Sequence, residues 1–386
     1  MSFYRQLRQN LHPLQDNTTV DLYTSTAWPA NGRATQPLPP AAAPRPSISL
    51  IATVRNERVS ISAWLNSLLA QTRPPDEVVI VDGGSTDGTF ELLQAFAEQS
   101  PVPVKVWQVP GANIAQGRNL AIEAAAGPLI ACTDAGCLVP PDWLATITGP
   151  FAADPTLEVV AGYYEAIQHN DLQRLVAAYL VAPPHLVDPQ SFLPSARSLA
   201  FGKDAWRKTG GFPEWLTLTA EDTLFDVALK KCTRRWAFVP EAVVRWQLKS
   251  TVPQLFRQVR AYGRGDGEAG LFPEMYWNHL QLWLGISVAG LVGLICLILA
   301  VINRSWYWFV AGLLPAFWLA RRFWRITLRP SLRLDSGETW PQGFWQKTRT
   351  FFLSMLVINA ITSGLTIGFI EGVQRRKAIS IKKARG

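Results

Sequence analysis

Three short apolar runs in the first half of the chain each stop at a polar residue that opens a turn. They are Ser47 to Thr53, Glu77 to Asp82, and Pro128 to Thr133 with Asp134 behind it. Val- and Ile-rich runs of this length read as buried strands of a parallel sheet. Apolar residues at helical spacing fill the intervals, at Ile61 to Leu69, Phe90 to Ala97 and Arg118 to Ala125. Strand and helix in alternation predict right-handed crossovers and an α/β fold. Thr53, Asp82 and Asp134 are then expected along one sheet edge, at the carboxyl ends of strands, where open α/β sheets meet their ligands. Gly83 and Gly84 would let backbone come close to such a ligand. The plainer reading of Asp82 to Thr89 is a strand-to-helix turn, with Asp87 or Thr86 capping the helix that follows.

The last third of the chain has a different texture. No charge interrupts Gln281 to Asn303, and Leu282 to Ile302 is long enough for a bilayer core, which takes about 20 residues. Ser305 to Ala320, with Trp306, Trp308 and Trp318, and Phe351 to Ile370 are two more uncharged runs. Three in one region predict an integral membrane protein with two or three spans and aromatic residues near the interfaces. Basic clusters follow the second run (Arg321, Arg322, Arg325, Arg329, Arg333) and the third (Arg375, Arg376, Lys377, Lys382, Lys383, Arg385). Positive charge favours the cytoplasmic side, yet three full crossings would put the two clusters on opposite sides. Either the third run is re-entrant or interfacial, or one cluster is overruled.

The 386 residues leave room for one large soluble domain besides this region. The expected boundaries are 1–46, a disordered Pro/Ala-rich arm or linker without an apolar signal segment; 47–265, the α/β domain; and 266–386, the membrane region with its basic tail. The net charge of +8 arises largely beside the apolar runs, so an anionic membrane surface is the expected partner and nucleic acid is not. The four Cys and four His show no zinc spacing, and reduced cysteines agree with a cytoplasmic catalytic domain.

Motifs between Ser47 and Gly265 resemble, in order, those of the family 2 glycosyltransferases. They are Asn56-Glu57, Ser67-Leu68-Leu69-Ala70-Gln71, Asp82 to Thr89, Gly117-Arg118-Asn119, Asp134-Ala135-Gly136, Gly210-Gly211-Phe212 and Glu221-Asp222. The resemblance implies a GT-A, Rossmann-like domain followed here by C-terminal transmembrane helices. It implies a nucleotide-sugar donor held by Thr53, Glu57, Asp82, Arg118 and Asp134, a lipid or glycan acceptor at the membrane, and transfer with inversion. Asp134 would be the protein ligand of Mg²⁺ or Mn²⁺. Asp222 is the expected general base, with Glu221 as acceptor-site candidate. Both stand where a helix begins, which favours ionised carboxylates but would equally suit simple capping.

Two positions depart from the family pattern: Gly83 stands where a second acid is usual, and Gly136 replaces the last acid of the DXD-type turn. They motivate a rival reading, a catalytically silent GT-A binding or scaffold protein. A processive polysaccharide synthase is the other alternative. Its Gln-x-x-Arg-Trp element is not matched, because Gln258 follows Arg257, and this favours non-processive transfer. Tyr163, Tyr164, His169, Trp206, Trp215 and Arg197 lie in the segment expected to shape the acceptor site, without singling out a sugar-stacking residue.

Overall fold

A computed structural model of the chain describes residues 21–23, 46–323 and 344–385. Most of the expected N-terminal arm, together with Arg325, Arg329 and Arg333, lies outside the described residues. The chain divides into two compact units. Among the described residues, one is formed by 21–23, 46–167 and 183–247, the other by 168–182 with 248 onward.

The first unit is an α/β sandwich around a nine-stranded sheet. Its elements are β1 (Asp21–Tyr23), β2 (Ile48–Val54), α1 (Ile61–Leu69), β3 (Glu77–Asp82), α2 (Thr89–Gln99), β4 (Val104–Gln108), α3 (Ile114–Ala124), β5 (Leu129–Cys132), β6 (Cys137–Leu138), α4 (Trp143–Ala153) and β7 (Val159–Ile167). The α5 helix, Asp171–Leu180, belongs to the second unit, after which β8 (Leu199–Gly202), α6 (Lys203–Thr209), α7 (Glu221–Cys232) and β9 (Arg235–Gln247) complete the first. The strand order is β1-β9-β7-β8-β5-β2-β3-β4, with β6 on β9. As the alternating pattern requires, β5, β2, β3 and β4 are parallel neighbours, and β8 is antiparallel to β5. Within the expected arm, Asp21–Tyr23 adds in parallel to β9.

All six residues of β3 are buried, which is why this strand carries no alternation of polar positions. Helix α3 begins four residues before the expected Arg118. Asn113 and Gln116 form a reciprocal capping box there: the Gln116 N–H donates to Asn113 Oδ1 at 2.8 Å, and the Asn113 N–H donates to Gln116 Oε1 at 3.0 Å. The earlier start puts Arg118 in mid-helix on the buried face, among Ala115, Ala121 and Ile122.

In the second unit, α8 (Val252–Ala269), α9 (Pro273–Ile302), α10 (Trp306–Phe323) and α11 (Phe344–Arg385) follow one another. Among the described residues two helices are long and apolar enough to cross a membrane, α9 and the Thr348–Ala378 part of α11. They differ in surroundings. Leu284, Leu291 and Val301 of α9 are exposed, and α9 meets α10 at small residues, where a Cβ on Gly312 would lie 2.9 Å from Cys296 Cβ. The apolar stretch of α11 is instead half covered, with Val357, Ile358, Ile361 and Leu365 buried.

The cover is α8, which runs parallel to α11 with backbones in contact. A Cβ on Gly263 would overlap the Leu365 carbonyl, and one on Gly267 the Phe369 carbonyl. From the other side, a Cβ on Gly368 or Gly372 would overlap the Arg260 or Arg264 carbonyl. The glycines thus recur at four-residue spacing on both helices, the small-residue pattern of closely apposed helices. Charge sits in the same seam: Arg260 chelates Glu371, and the buried Glu268 accepts from Arg264 at 3.2 Å with Arg375 at 3.7 Å.

Candidate functional site

The β2, β3 and β5 strands deliver Thr53, Asp82 and Asp134 to neighbouring carboxyl ends, as the alternating pattern anticipates. Each does something different there. Thr53 turns its methyl toward α3, where a Cβ on Gly117 would lie only 2.6 Å from Thr53 Cγ2. Glu57 accepts from Ser60 Oγ at 2.5 Å while its backbone carbonyl takes the first N–H groups of α1.

Asp82 is fully buried. Its Oδ1 accepts from the Gly84 and Ser85 N–H groups at 2.9 and 2.7 Å and from Gln108 Nε2 at 3.3 Å. Its Oδ2 is buried without a hydrogen-bond partner. A buried carboxylate oxygen left open is costly, and it is the kind of acceptor that a ligand N–H satisfies. Asp87 accepts from the Thr89 N–H at 3.0 Å, so the turn is tied into α2 as well. Gly83 has a local reason: a Cβ there would press to 2.9 Å on the Ala112 carbonyl. The loop after β4, held by the Val109 and Gly111 N–H groups on the Asp82 and Gly83 carbonyls, already fills that place.

Arg118 is the centre of the charged cluster. Its Nη1 donates to Glu221 Oε1 at 2.6 Å and its Nη2 to Asp134 Oδ1 at 2.9 Å, while the guanidinium lies 5.3 Å above the Phe212 ring. Burial alone would lower its pKa, but Asp134, Glu221 and Asp222 outweigh burial and drive it up, so the charge is permanent. Phe212 is held by stacking on Phe225 at 3.9 Å, after the left-handed Gly210 and Gly211. Asn119, beside Arg118, fixes this turn by accepting from the Phe212 N–H at 2.8 Å and donating to the Phe212 carbonyl at 2.9 Å. The Gly117-Arg118-Asn119 and Gly210-Gly211-Phe212 motifs are therefore one construction.

The acids at the start of α7 are not its caps. The N-cap is Ala220, in a left-handed conformation and without a side-chain cap bond. Glu221 turns inward to Arg118; burial and Asp222 push its carboxyl up to about 7, against the pull of Arg118. Asp222 is partly exposed, takes the Thr223 N–H on Oδ1 at 2.8 Å and accepts from Ser195 Oγ on Oδ2 at 3.3 Å. One turn further on, Asp226 is wholly buried with both oxygens unpartnered, and burial first, then Asp222, raises its pKa well above the usual carboxylate range.

Sequence reading placed Arg197 only in the acceptor segment. Its Nη1 donates to Ser195 Oγ at 2.8 Å, its Nε lies 3.7 Å from Asp134 Oδ2, and the guanidinium stands 4.5 Å from the Trp246 ring centre and 5.4 Å from that of Tyr164. No spacing could reveal this, because Asp134, Tyr164, Arg197 and Trp246 come from four separate segments. The other aromatic candidates serve the fold: Tyr163 packs with Phe192 and Phe238, and Trp206 Nε1 donates to Asn119 Oδ1 at 3.0 Å. Trp215 is exposed, and His169 lies in the second unit.

Among the described residues no cluster of three His, Cys, Asp or Glu could hold a metal ion. Asp134 is the one acid of its turn, one-third exposed. At Gly136 a Cβ would meet nothing within 4 Å, so the place of the missing acid is open space. The one carboxylate present is paired with Arg118 through Oδ1 and faces Arg197 through Oδ2. Cys132 and Cys137, which flank the turn, are buried free thiols pushed up to about 12 by burial, with no zinc-binding or nucleophilic character.

Residues 49–206 match the family model described as glycosyl transferase family 2, and residues 138–320 match glycosyl transferase family group 2. The chain is similar to validoxylamine A glucosyltransferase of Streptomyces hygroscopicus subsp. limoneus, 30% identical over 149 residues, covering 37% of this chain and 33% of that protein. Glycosyltransferase AglE of Haloferax volcanii is 33% identical over 111 residues, 27% of this chain and 36% of AglE. The matches thus span about a third of the length of these relatives. Among solved structures, a mannosyltransferase from Pyrobaculum calidifontis in complex with GDP-Man and Mn²⁺ is 21% identical, covers 85% of this chain and 90% of its own, and has a TM-score of 0.49.

Proposed function

This chain belongs to the family 2 glycosyltransferases, and from that premise we propose that it moves a sugar from a nucleotide-sugar donor to a membrane-held lipid or glycan acceptor, with inversion and without processive elongation. The observation that carries the reading is the Arg118 bridge. One guanidinium joins the acid turn at Asp134 to the acid pair at Glu221 and Asp222, so donor and base positions share a single charged cluster.

In this reading Asp82 Oδ2 receives an N–H of the nucleobase, and the lip formed by Thr53 and Glu57 borders the nucleoside. The acceptor hydroxyl gives its proton to Asp222 as its oxygen bonds to the anomeric carbon. The bond from that carbon to the diphosphate oxygen breaks, and the electron pair leaves with the diphosphate. Arg118 offsets the charge of the leaving group from a water-poor position, where a fixed cation acts most strongly. Asp134 would hold Mg²⁺ or Mn²⁺ through one carboxylate, and the bound ion would supply further Lewis-acid neutralisation of the diphosphate. Glu221 keeps Arg118 aimed and borders the acceptor side.

In this reading α9 crosses the membrane, and the shorter α10, which is not one of the two helices long and apolar enough to span by themselves, is the return crossing. Helix α10 opens with exposed Trp306 and Tyr307, suited to an interface, and its 18 residues reach about 27 Å. The charged seam beside α11 argues against a third crossing, because ion pairs are costly in hydrocarbon. Two crossings would leave both basic clusters on one side of the membrane, as the positive-inside preference asks.

Incubating the detergent-solubilised full chain with a panel of nucleotide sugars and a membrane lipid extract tests the reaction. Release of one nucleoside diphosphate with sugar incorporation into lipid or glycan is expected. In Asp222→Asn, turnover should fall by about a hundredfold to ten-thousandfold while nucleoside diphosphate binding stays near normal. Undiminished turnover in that variant would remove Asp222 as base, and no turnover with any donor would return the chain to the silent-scaffold reading.

A further inference from the structure

Building on the reading of Asp134 and Asp222 as the donor and base positions, we propose that Arg197 is a second cation for the donor diphosphate and its departing form. The two acids bracket the reacting centre, and Arg197 reaches toward both. Its Nε faces Asp134 Oδ2 at 3.7 Å, and its Nη1 holds, at 2.8 Å, the Ser195 hydroxyl that in turn donates to Asp222 at 3.3 Å.

Division of labour between the two arginines follows from burial. Arg118 has a side chain 5% exposed and spends both Nη atoms on Glu221 and Asp134, whereas the side chain of Arg197 keeps 19% of its surface open. A guanidinium has five N–H donors in a fixed fork that matches phosphate oxygens. Trp246 and Tyr164, themselves edge to face at 6.1 Å, hold this fork by their rings, so little orientational freedom is lost when it meets an anion.

The backbone under it is anchored too. Ala196 and Ser198 on either side are buried, and Ser198 Oγ donates to the Ala242 carbonyl at 2.7 Å and accepts from Trp143 Nε1 at 2.8 Å. The charge balance calls for such a group. Asp134, Asp222 and Glu221 surround Arg118, and a diphosphate adds further negative charge. A second fixed cation lowers that cost, and it sits beside the turn in which Gly136 stands where the family pattern has its last acid.

Calorimetry on the full-length, detergent-solubilised protein with UDP, GDP, CDP and ADP, each compared with its nucleoside, tests the assignment. For whichever diphosphate the wild type binds, Arg197→Ala should weaken affinity by about tenfold to a hundredfold and leave the nucleoside within about twofold. Arg197→Lys, which keeps the charge and loses the fork, should fall between. Inorganic pyrophosphate should displace the wild-type diphosphate complex and do so poorly in Arg197→Ala. Equal losses for nucleoside and diphosphate would assign Arg197 a purely structural role and overturn the proposal, as would an unchanged diphosphate affinity. Wild-type protein that binds none of the four diphosphates would overturn the donor-site reading itself, which is a different result from a wild type that binds and a variant that does not care.

Discussion

Arg118 and Glu221 meet at 2.6 Å with side chains only 5% and 8% exposed, an ion pair almost wholly out of water. Desolvation makes such a pair a poor source of stability, so its presence marks a requirement of the site rather than of the fold. Glu221 carries the strain, since burial and Asp222 raise its carboxyl from 4.5 to about 7 despite Arg118.

The sign of the resulting pH dependence is fixed. A carboxyl whose folded pKa is raised binds more protons folded than unfolded, so its contribution to stability is lost as pH rises from about 4.5 to about 7. Glu221→Gln should remove that loss. Its melting temperature relative to wild type should climb across this window, on the order of several degrees. Asp226→Asn should act in the same sense, since burial raises that carboxyl too. Melting curves in detergent at stepped pH decide it, and parallel wild-type and Glu221→Gln profiles would show that the acid is ionised throughout.

The open oxygen of Asp82 leads to a different measurement. Asp82→Ala removes the buried acceptor, and Asp82→Asn keeps its shape but exchanges an acceptor for a donor. Both should weaken nucleoside binding by about tenfold or more, as expected for a lost bond to a charged group. Affinity for the bare nucleoside is the decisive quantity, because inorganic pyrophosphate should be unaffected.

The two glycines that depart from the family pattern should behave oppositely. At Gly136 nothing stands within 4 Å of a Cβ, so Gly136→Asp should fold and add a carboxylate beside Asp134. The metal concentration for half-maximal activity should then drop, on the order of tenfold. Gly83→Asp must instead displace the Ala112 carbonyl and should lower the melting temperature. A metal titration of activity with EDTA-stripped protein tests the first, and full activity in excess chelator would remove Asp134 from metal binding.

For the helical unit, single cysteines near 376 and in the α9–α10 connection should label from opposite sides of sealed vesicles. Labelling of both from one side would rule out the two-crossing arrangement. Gly368→Leu should separate α8 from α11 and destabilise the protein by a few kcal/mol, as forced overpacking does.

Three strands, β2, β3 and β5, were readable from sequence because they are buried almost throughout and so write themselves as unbroken apolar runs, whereas β4 and β9, with exposed positions among their residues, gave no such run. Ile61–Leu69 coincides with the expected helix because its buried positions, Ile61, Trp64, Leu65 and Leu68, carry the helical period. The start of α3 was missed because its signal is a polar box, Asn113 with Gln116, rather than an apolar face. The structure brings Arg118 to 2.9 Å from Asp134; both, with Asp82, were named through order along the chain. Arg197 was not, because its neighbours are set by β7 and β9, strands whose register brings Tyr164 and Trp246 near each other only in three dimensions. The pairing of α8 with α11 escaped for a related reason: glycines carry no hydropathy signal, and their message is a distance.

That pairing also sets an order of assembly. Gly263 and Gly267 lie flush against a helix made about a hundred residues later, with the α9–α10 hairpin between them. During synthesis α8 leaves the ribosome before the helix that covers its glycine stripe has been made. That stripe stays open until α11 has been made. The glycine seam thus makes the packing of the helical unit a late event, closed only by a segment about a hundred residues downstream.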